Sequence, residues 1–243
     1  MQLTDDEIRA ILIQEKRRKR KKQRIKRRIT LIILVVLILF IGIGVFINRD
    51  ARVSARGIIF LDPVHGGIDS GSVVGDRYEK NDTLTLSTAV KTELESLGFK
   101  VYMSRTEDVD VDRDERGKLA NEKNAQIMVS IHRNKAEEGS GVEVFIPSSN
   151  TEECQLLGNN IMKALVSQGF AERTVRAGTL TDPNDDYYEN SVPTMPCCMV
   201  EVGFMQDSGD NKILDENGDA VASAIAQAIE STFAELYEAD EEQ

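Results

Sequence analysis

The chain has 243 residues, of which 41% are apolar, and this is sufficient for a folded domain of about 200 residues with a buried core. A chain that is disordered throughout is therefore excluded. The formal net charge of -11 is unevenly divided, because residues 16–28 hold eleven Lys or Arg whereas residues 51–243 hold 17 basic and 36 acidic residues.

An apolar segment separates the basic part from the acidic part. Residues 31–47 have no charged or polar side chain, and a helix of that length covers about 26 Å, near the lower limit for crossing a bilayer. The segment is longer than the apolar region of about 7 to 15 residues in a cleaved signal peptide, although Val53-Ser54-Ala55 resembles a cleavage site. We predict one transmembrane helix over residues 30–47 and a linker over residues 48–56.

The basic cluster directly before this helix sets its predicted orientation. Loops rich in Lys and Arg stay in the cytoplasm, so residues 1–29 are predicted to be a basic cytoplasmic tail and the residues after Asn48 to lie outside. The cluster has no interleaved aromatic residues and adjoins the membrane segment, so attraction to anionic inner-leaflet lipid explains it better than nucleic acid binding. We expect a single-pass cell-membrane protein that does not bind nucleic acid.

Strand and helix patterns alternate from Gly57 onward. The stretch 58–67 runs an apolar strand into a glycine-rich turn, and residues 79–97 form an amphipathic helix that Gly98 ends. Residues 99–103 form the next strand, and a strand, a crossover helix and a strand indicate a parallel pair.

The second half continues this alternation and predicts an α/β domain over residues 57–238, followed by an acidic tail at 239–243. A polar loop over 173–196 interrupts the pattern. The remaining predicted elements are a charged helix over 112–124, strands at 127–132, 141–146 and 197–202, a helix over 150–168 with the cap-like pair Asn150 and Glu153, and a helix over 220–236.

The three cysteines, Cys154, Cys197 and Cys198, do not have the spacing of a metal site. Adjacent residues on a strand point to opposite faces of a sheet, so Cys197 and Cys198 are not expected to act together. We interpret all three as small buried hydrophobic residues.

Four polar side chains stand near predicted strand ends. His65 and His132 are the only histidines of the chain, Glu201 interrupts an apolar strand, and Glu79 begins a helix. Two imidazoles and a carboxylate with an open fourth position are the usual catalytic zinc site, and a second carboxylate can accept a proton there. The spacing alone is weak support, since His65 could be a turn residue and Glu79 a charge favoured by the helix dipole.

Five segments resemble, in their order and spacing, the motifs of the zinc-dependent N-acetylmuramoyl-L-alanine amidases, a family of bacterial cell-wall hydrolases. The resemblance extends from about Ile58 to Leu236. The segments are Leu61-Asp62-Pro63-Val64-His65-Gly66-Gly67, Glu79-Lys80, Ser130-Ile131-His132-Arg133-Asn134, Gly141-Val142-Glu143-Val144-Phe145 and Pro196-Cys197-Cys198-Met199-Val200-Glu201-Val202-Gly203-Phe204.

This resemblance implies a mixed, mostly parallel sheet of about six strands flanked by helices. It implies one zinc ion with His65, Glu79 and His132 as ligands and Glu201 as the catalytic acid/base. It also implies cleavage of the amide between N-acetylmuramic acid and the L-alanine of the peptidoglycan stem peptide. Asp62 is a candidate acceptor for the second nitrogen of a histidine ligand.

Some residues depart from the family pattern. Val64 stands where the family usually has glycine, and a β-branched residue resists positive φ, so the turn could have another shape here. Arg133 and Lys135 replace small residues, and Arg133 would either bind a substrate carboxylate or obstruct the cleft. We interpret Arg105 and Asn134 as structural. The region between His132 and Glu201 leaves no room for the inhibitory helix that some family members have.

The sequence thus predicts a membrane-anchored zinc amidase whose catalytic domain faces the cell wall and remodels peptidoglycan. One alternative is a catalytically weakened domain of the same fold that binds or regulates peptidoglycan without cleaving it. Another is a zinc peptidase that cuts within the stem peptide.

Overall fold

A six-stranded sheet lies at the centre of the structure. The computed structural model describes residues 56–149 and 151–238, so the predicted tail 1–29, transmembrane helix 30–47 and acidic tail 239–243 lie outside the described residues, as do Asn150 and most of the linker. Within the described ranges, no helix combines the length and the apolar character that crossing a bilayer requires.

The elements follow one another in the alternating order that the sequence predicts. The strands are β1 Ile58–Pro63, β2 Val73–Val74, β3 Arg77–Tyr78, β4 Lys100–Met103, β5 Ile127–Asn134, β6 Val142–Ile146, β7 Glu172–Ala177 and β8 Cys197–Phe204. The helices are α1 Glu79–Ser96, α2 Arg113–Glu122, α3 Glu152–Ser167, α4 Tyr188–Ser191 and α5 Ser208–Tyr237.

The large sheet has the strand order β4-β1-β5-β8-β6-β7, and β2 and β3 form a separate hairpin. Its neighbouring strands are parallel except for β6 and β8, which are antiparallel. The expected mixed, mostly parallel six-stranded sheet flanked by helices is confirmed. Because β1, β5 and β8 run in the same direction, their carboxyl ends lie at one edge of the sheet, where polar side chains can converge.

The two faces of the sheet are covered unequally. One face packs against α1, α3 and α5 in a large apolar core that includes the fully buried Leu94, Leu157 and Phe233. The other face carries a small apolar cluster that includes Phe60, Met128 and Ala120 of α2. Burial of each large apolar side chain stabilises the fold by about 1.5–3 kcal/mol, so the first face supplies most of the hydrophobic stability.

Strand alternation assigns the candidate site residues to the less covered face. In β5, Ile127, Val129 and Ile131 enter the large core, so His132 points to the other side. In β8, Val200 and Val202 enter the large core, which directs Glu201 to the same side as His132.

Helices α1, α2 and α3 were predicted within about two residues of their ends, a normal difference for helix termini. Helix α1 ends at Ser96, and Gly98 follows with φ +94° as the predicted stop. Helix α3 begins at Glu152, where the Thr151 side chain accepts a hydrogen bond from the Cys154 N–H; Asn150, predicted as the cap, lies outside the described residues.

The prediction of a loop over 173–196 is wrong in part, because this region contains β7 and α4. Strand β7 is a sheet edge that pairs only with β6, and its side chains are exposed or half-buried, so it lacks an apolar pattern. Helix α4 has four residues, too few for a periodic pattern. Helix α5 begins at Ser208, earlier than predicted, and the polar part before its kink at Asn217 carries few apolar residues.

Cys154, Cys197 and Cys198 are free and buried, as the sequence predicts. Cys197 packs in the small cluster and Cys198 in the large core, so the two lie on opposite faces of the sheet. Their interpretation as buried hydrophobic residues is confirmed.

Candidate active site

His65 lies in the turn after β1 and has the left-handed φ of +59°. A side chain in this conformation costs about 1–2 kcal/mol. Reciprocal backbone hydrogen bonds between Gly66 and Asp69, of 2.8 and 3.0 Å, hold the turn. Val64 is buried and does not adopt positive φ, so its β-branched side chain fits a turn whose left-handed residues are His65, Gly66 and Gly67.

Glu79, the first residue of α1, lies between the two histidines. Its Oε2 is 3.2 Å from His65 Nε2, and its Oε1 is 3.4 Å from His132 Nδ1. The carboxylate is 3% exposed and also accepts hydrogen bonds from the Ser72 and Arg133 backbone N–H groups at 2.8 and 3.1 Å. These contacts fix Glu79 between two loops and a strand.

The two imidazoles and Glu79 form a group with the composition of a metal site. Ligand atoms of His65, Glu79 and His132 all lie within 4.8 Å of one another. The two rings are 5.8 Å apart at an interplanar angle of 83°. One imidazole nitrogen from each ring and one carboxylate oxygen suit zinc, and a catalytic zinc site has three such ligands. The residues therefore fit the zinc ion that the sequence resemblance implies.

Because Gly71 has no side chain, there is room for the three ligand side chains to converge. A Cβ at this position would lie 2.5 Å from His65 Cδ2 and 2.8 Å from Glu79 Oε2, and Gly71 also has φ +62°. Every other residue would displace a ligand and strain the backbone. In the sequence, Gly71 is one of several glycines in the loop after β1, so the pattern did not mark it as necessary for the site.

The charges of the group favour a cation at its centre. Burial raises the pKa of Glu79, but its hydrogen bonds to His132 and His65 outweigh this effect, and the net pKa is far below the usual range. Burial lowers the pKa of His132, yet the hydrogen bond to Glu79 and the charges of Glu201, Glu79 and Glu189 raise it to about 9. A divalent ion bound between the three side chains would compensate the charge of Glu79 and displace protons from the imidazoles.

Glu201 lies beside His132, because the two residues are partners in the parallel pairing of β5 and β8. Its Oε2 is buried and has no hydrogen-bond partner among the described residues. Burial raises the pKa of Glu201 to about 7, with further contributions from the charges of Glu79 and Glu143, although His132 opposes the shift. A carboxyl group with this pKa can take up and release a proton near neutral pH.

Asp62 does not hold a histidine nitrogen, and this part of the sequence interpretation is wrong. Its carboxylate accepts hydrogen bonds from Arg116 Nη1 at 2.7 Å, Ser104 Oγ at 2.5 Å and Ser130 Oγ at 3.1 Å. Asp62 is fully buried, and a buried charge requires a partner, which Arg116 of α2 supplies. The acceptor for His65 is Asp69, whose Oδ2 is 2.7 Å from His65 Nδ1.

Two arginines support the turn that carries His65. Arg116 also donates to the His65 carbonyl oxygen at 3.1 Å, so its ion pair with Asp62 fixes the backbone of the ligand. Arg105 donates to the carbonyl oxygens of Pro63 at 2.8 Å and Val64 at 3.0 Å, in agreement with its predicted structural role. The role of Arg116 was missed because its partner is 54 residues away in the sequence.

Arg133 neither enters the cleft nor obstructs it. Its side chain is buried and donates to Asp82 Oδ2 at 2.5 Å and Asn211 Oδ1 at 2.7 Å. Strand alternation turns Arg133 away from the face that His132 occupies. Lys135 donates to the Val73 carbonyl oxygen at 3.0 Å. Asn134 donates to Glu143 Oε2 at 2.7 Å, as expected of a structural residue.

A cleft of about 440 Å³ lies beside His65. Its walls come from the loop after β1, the N-terminal end of α2 and helix α4. Glu189 of α4 contributes a carboxylate that the sequence interpretation missed, because the polar segment around it has no pattern. The lining residues include His65, Asp69, Asp110, Arg113, Arg116 and Glu189.

Comparison with known proteins supports the same assignment. The profile of the N-acetylmuramoyl-L-alanine amidase family matches residues 59–231. Uncharacterized protein YqiI of Bacillus subtilis strain 168 is 31% identical over 180 residues, which cover 72% of this chain and 84% of that protein. The germination-specific N-acetylmuramoyl-L-alanine amidase of the same strain is 30% identical over 199 residues, with 73% of this chain and 80% of that protein covered.

A solved structure has the same fold. The N-acetylmuramoyl-L-alanine amidase from Clostridium difficile 630 matches with a TM-score of 0.66 and 27% identity, covering 73% of this chain and 97% of that one. The chain therefore belongs to the family of N-acetylmuramoyl-L-alanine amidases and is an enzyme of that class.

Proposed function

We propose that this amidase is zinc-dependent and cleaves peptidoglycan between N-acetylmuramic acid and the L-alanine of the stem peptide. The observation that carries the proposal is the convergence of His65, Glu79 and His132 within 4.8 Å, with Glu201 paired beside His132. The names of the relatives, which are N-acetylmuramoyl-L-alanine amidases, support the same bond specificity.

The metal would be held by His65 Nε2, His132 Nδ1 and a Glu79 oxygen, since each of these two nitrogens faces an oxygen of the Glu79 carboxylate. When bound, zinc supplies a Lewis acid that lowers the pKa of water and polarises a carbonyl group. Asp69 accepts a hydrogen bond from His65 Nδ1 and so leaves Nε2 free to act as a ligand.

Glu201 carries the proton in the proposed reaction. The oxygen of water bonds to the carbonyl carbon of the lactyl group while Glu201 accepts a proton from that water. The carbon–nitrogen bond then breaks as Glu201 returns the proton to the nitrogen of L-alanine. The products are a carboxylic acid on the muramic acid, which loses its remaining proton to water, and a free amine on the stem peptide. The raised pKa of Glu201 suits both proton transfers.

The membrane anchor and the location belong to the same proposal. Residues 30–47 would form a single span in the cell membrane, with the basic tail 1–29 against anionic inner-leaflet lipid and the catalytic domain 57–238 outside the cytoplasm. A peptidoglycan substrate is consistent with this location. Extraction of cell membranes with alkaline carbonate should leave the full-length chain in the membrane fraction, and release into the soluble fraction would contradict the anchor.

Digestion of purified peptidoglycan tests the activity. The full-length protein with added zinc should release stem peptides with L-alanine as the new N-terminal amine, identified by mass spectrometry, and a chelator should stop the release. New amines within the stem peptide would instead indicate a peptidase. Binding to peptidoglycan without release, in the presence of zinc, would indicate a non-cleaving protein. No observation favours that last alternative, because Arg133, one of the departures on which it was based, lies away from the cleft.

A further inference from the structure

We propose that Glu189 is a positioning residue that accepts a hydrogen bond from the Nε2–H of His132 and thereby orients the ring toward the metal. The inference rests on the proposed function, since it assigns His132 Nδ1 to the metal. Glu189 lies 57 residues after His132 in the chain and belongs to the short helix α4.

The first observation is an unpaired nitrogen. His132 Nδ1 faces Glu79, whereas His132 Nε2 is buried and has no hydrogen-bond partner among the described residues. A neutral imidazole carries one N–H group, so a ring that binds a metal through Nδ1 must carry its proton on Nε2. That N–H group requires an acceptor, because a buried donor without a partner costs about 1–3 kcal/mol.

The second observation is a carboxylate that faces this nitrogen. Glu189 Oε1 is 3.9 Å from His132 Nε2, and within the described part of the chain no other carboxylate oxygen lies within 4.0 Å of that nitrogen. The Glu189 side chain is 10% exposed. The distance exceeds that of a hydrogen bond, so the present contact is an ionic one that a small rotation of the carboxylate would shorten.

The third observation is the support behind Glu189. The next residue, Asn190, is buried and donates to the Phe145 carbonyl oxygen at 3.0 Å. Tyr187 packs edge to face on the Phe145 ring at 5.2 Å. On the other side, Asn121 of α2 donates to the Val192 carbonyl oxygen at 3.0 Å. Helix α4 is therefore fixed to both β6 and α2, and it presents Glu189 from a fixed position.

His65 provides the internal comparison. Its Nδ1 donates to Asp69 at 2.7 Å while its Nε2 faces Glu79. In the proposed arrangement each histidine ligand uses one nitrogen for the metal and the other for a carboxylate. Such carboxylate–histidine pairs fix the orientation of the ring and increase its basicity as a ligand, and their loss typically weakens metal binding by about 10- to 100-fold.

Zinc affinity of the full-length protein tests the inference. Zinc would be removed with a chelator and titrated back in competition with a chromophoric chelator at one pH, for the native protein, Glu189→Ala, Glu189→Gln and Asp110→Asn. Asp110 is exposed and lines the same cleft, so its substitution removes an equal charge without changing a ring partner. We expect zinc affinity to fall about 10- to 100-fold in Glu189→Ala, less in Glu189→Gln, and by much less than tenfold in Asp110→Asn.

Nitrogen-15 NMR of the histidine side chains adds a readout independent of activity. In the zinc-loaded native protein the Nε2–H proton of His132 should exchange slowly with solvent, and in Glu189→Ala it should exchange rapidly. Thermal unfolding of the metal-free variants controls for folding, and Glu189→Gln keeps the size of the side chain.

The outcomes distinguish failure of the positioning role of Glu189 from failure of the proposed zinc-dependent function. If the native protein binds zinc and Glu189→Ala binds it equally well with a slowly exchanging Nε2–H, the positioning role is wrong and the metal site stands. If Glu189→Ala changes only the KM for peptidoglycan, Glu189 contacts the substrate, which also overturns the inference. If the native protein does not bind zinc, the proposed function fails together with the inference.

Discussion

The two faces of the sheet use the same strands for different purposes. On the face covered by α1, α3 and α5, residues such as Val129 and Val200 are fully buried in the large apolar core. On the opposite face the adjacent residues include the fully buried Asp62 and the half-buried Glu201. The first face supplies hydrophobic stability, and the second contains charged groups whose burial opposes folding unless they are paired. Stability and chemistry are thus separated by the alternation of side chains along a strand.

The largest expected effect is a loss of kcat from a substitution on the face of the sheet that carries Glu201. Glu201→Gln removes the proton carrier without a change of size, so kcat should fall by a factor of about 10² to 10⁴ while zinc affinity stays near the native value. Steady-state hydrolysis of a muramyl peptide measures kcat, and chelator competition measures the metal. Native kcat in this variant would show that Glu201 is not the acid/base.

The buried ion pair beneath the site provides the next test. Arg116→Met leaves Asp62 as an unpaired buried charge and should reduce the free energy of unfolding by about 3–5 kcal/mol. Arg113→Met, at an exposed arginine of the same helix, should change it by less than about 0.5 kcal/mol. Urea denaturation of both variants measures the difference. Equal effects would mean that the site face does not depend on this pair.

A substitution in the large apolar core should reduce the free energy of unfolding without a change in kcat. Leu157→Ala creates a cavity in the large core and should reduce the free energy of unfolding by about 2–5 kcal/mol. Below the unfolding temperature, kcat per folded molecule should be native, because Leu157 lies on the face opposite Glu201. A large fall in kcat of the folded fraction would contradict the separation of the two faces.

The pH dependence of stability measures the cost of burying Glu201 in the metal-free protein. Its pKa is raised in the folded state to about 7, so the folded state loses stability as pH rises from about 4.5 to 7, where the unfolded chain ionises first. Glu201→Gln should therefore match the native protein near pH 4.5 and exceed its free energy of unfolding by roughly 3 kcal/mol above pH 7. Urea denaturation at several pH values measures the free energy of unfolding of both proteins. If the difference between them did not change with pH, the prediction would be refuted.

The smallest expected effect concerns the carboxylate behind His65. Asp69→Asn weakens the hydrogen bond to His65 Nδ1 and should lower zinc affinity by about 10- to 100-fold, equivalent to roughly 1.4–2.7 kcal/mol. Chelator competition gives the affinity, with Asp110→Asn as the control for charge in the cleft. Native affinity in Asp69→Asn would show that the turn alone orients His65.

The sequence predicted the elements that bury apolar residues and failed where they do not. Strands β1, β5 and β8 are apolar and were located, and the motifs along them identified His65, His132 and Glu201. Strand β7 was missed, since an edge strand needs no apolar face. Asp62 was assigned to a histidine because it is near in sequence, whereas its partner, Arg116, comes from helix α2. Such pairs depend on packing between elements, which local patterns do not report.

The pairing of His132 with Glu201 couples correct assembly of the sheet to activity. A slip of one position between β5 and β8 would rotate every side chain of one strand through half a turn and place the Glu201 carboxyl group among the aliphatic side chains under α3 and α5. A misassembled molecule of that kind would be both inactive and less stable, because the catalytic carboxyl group would be buried without a partner. Correct folding and catalytic competence therefore depend on the same strand register.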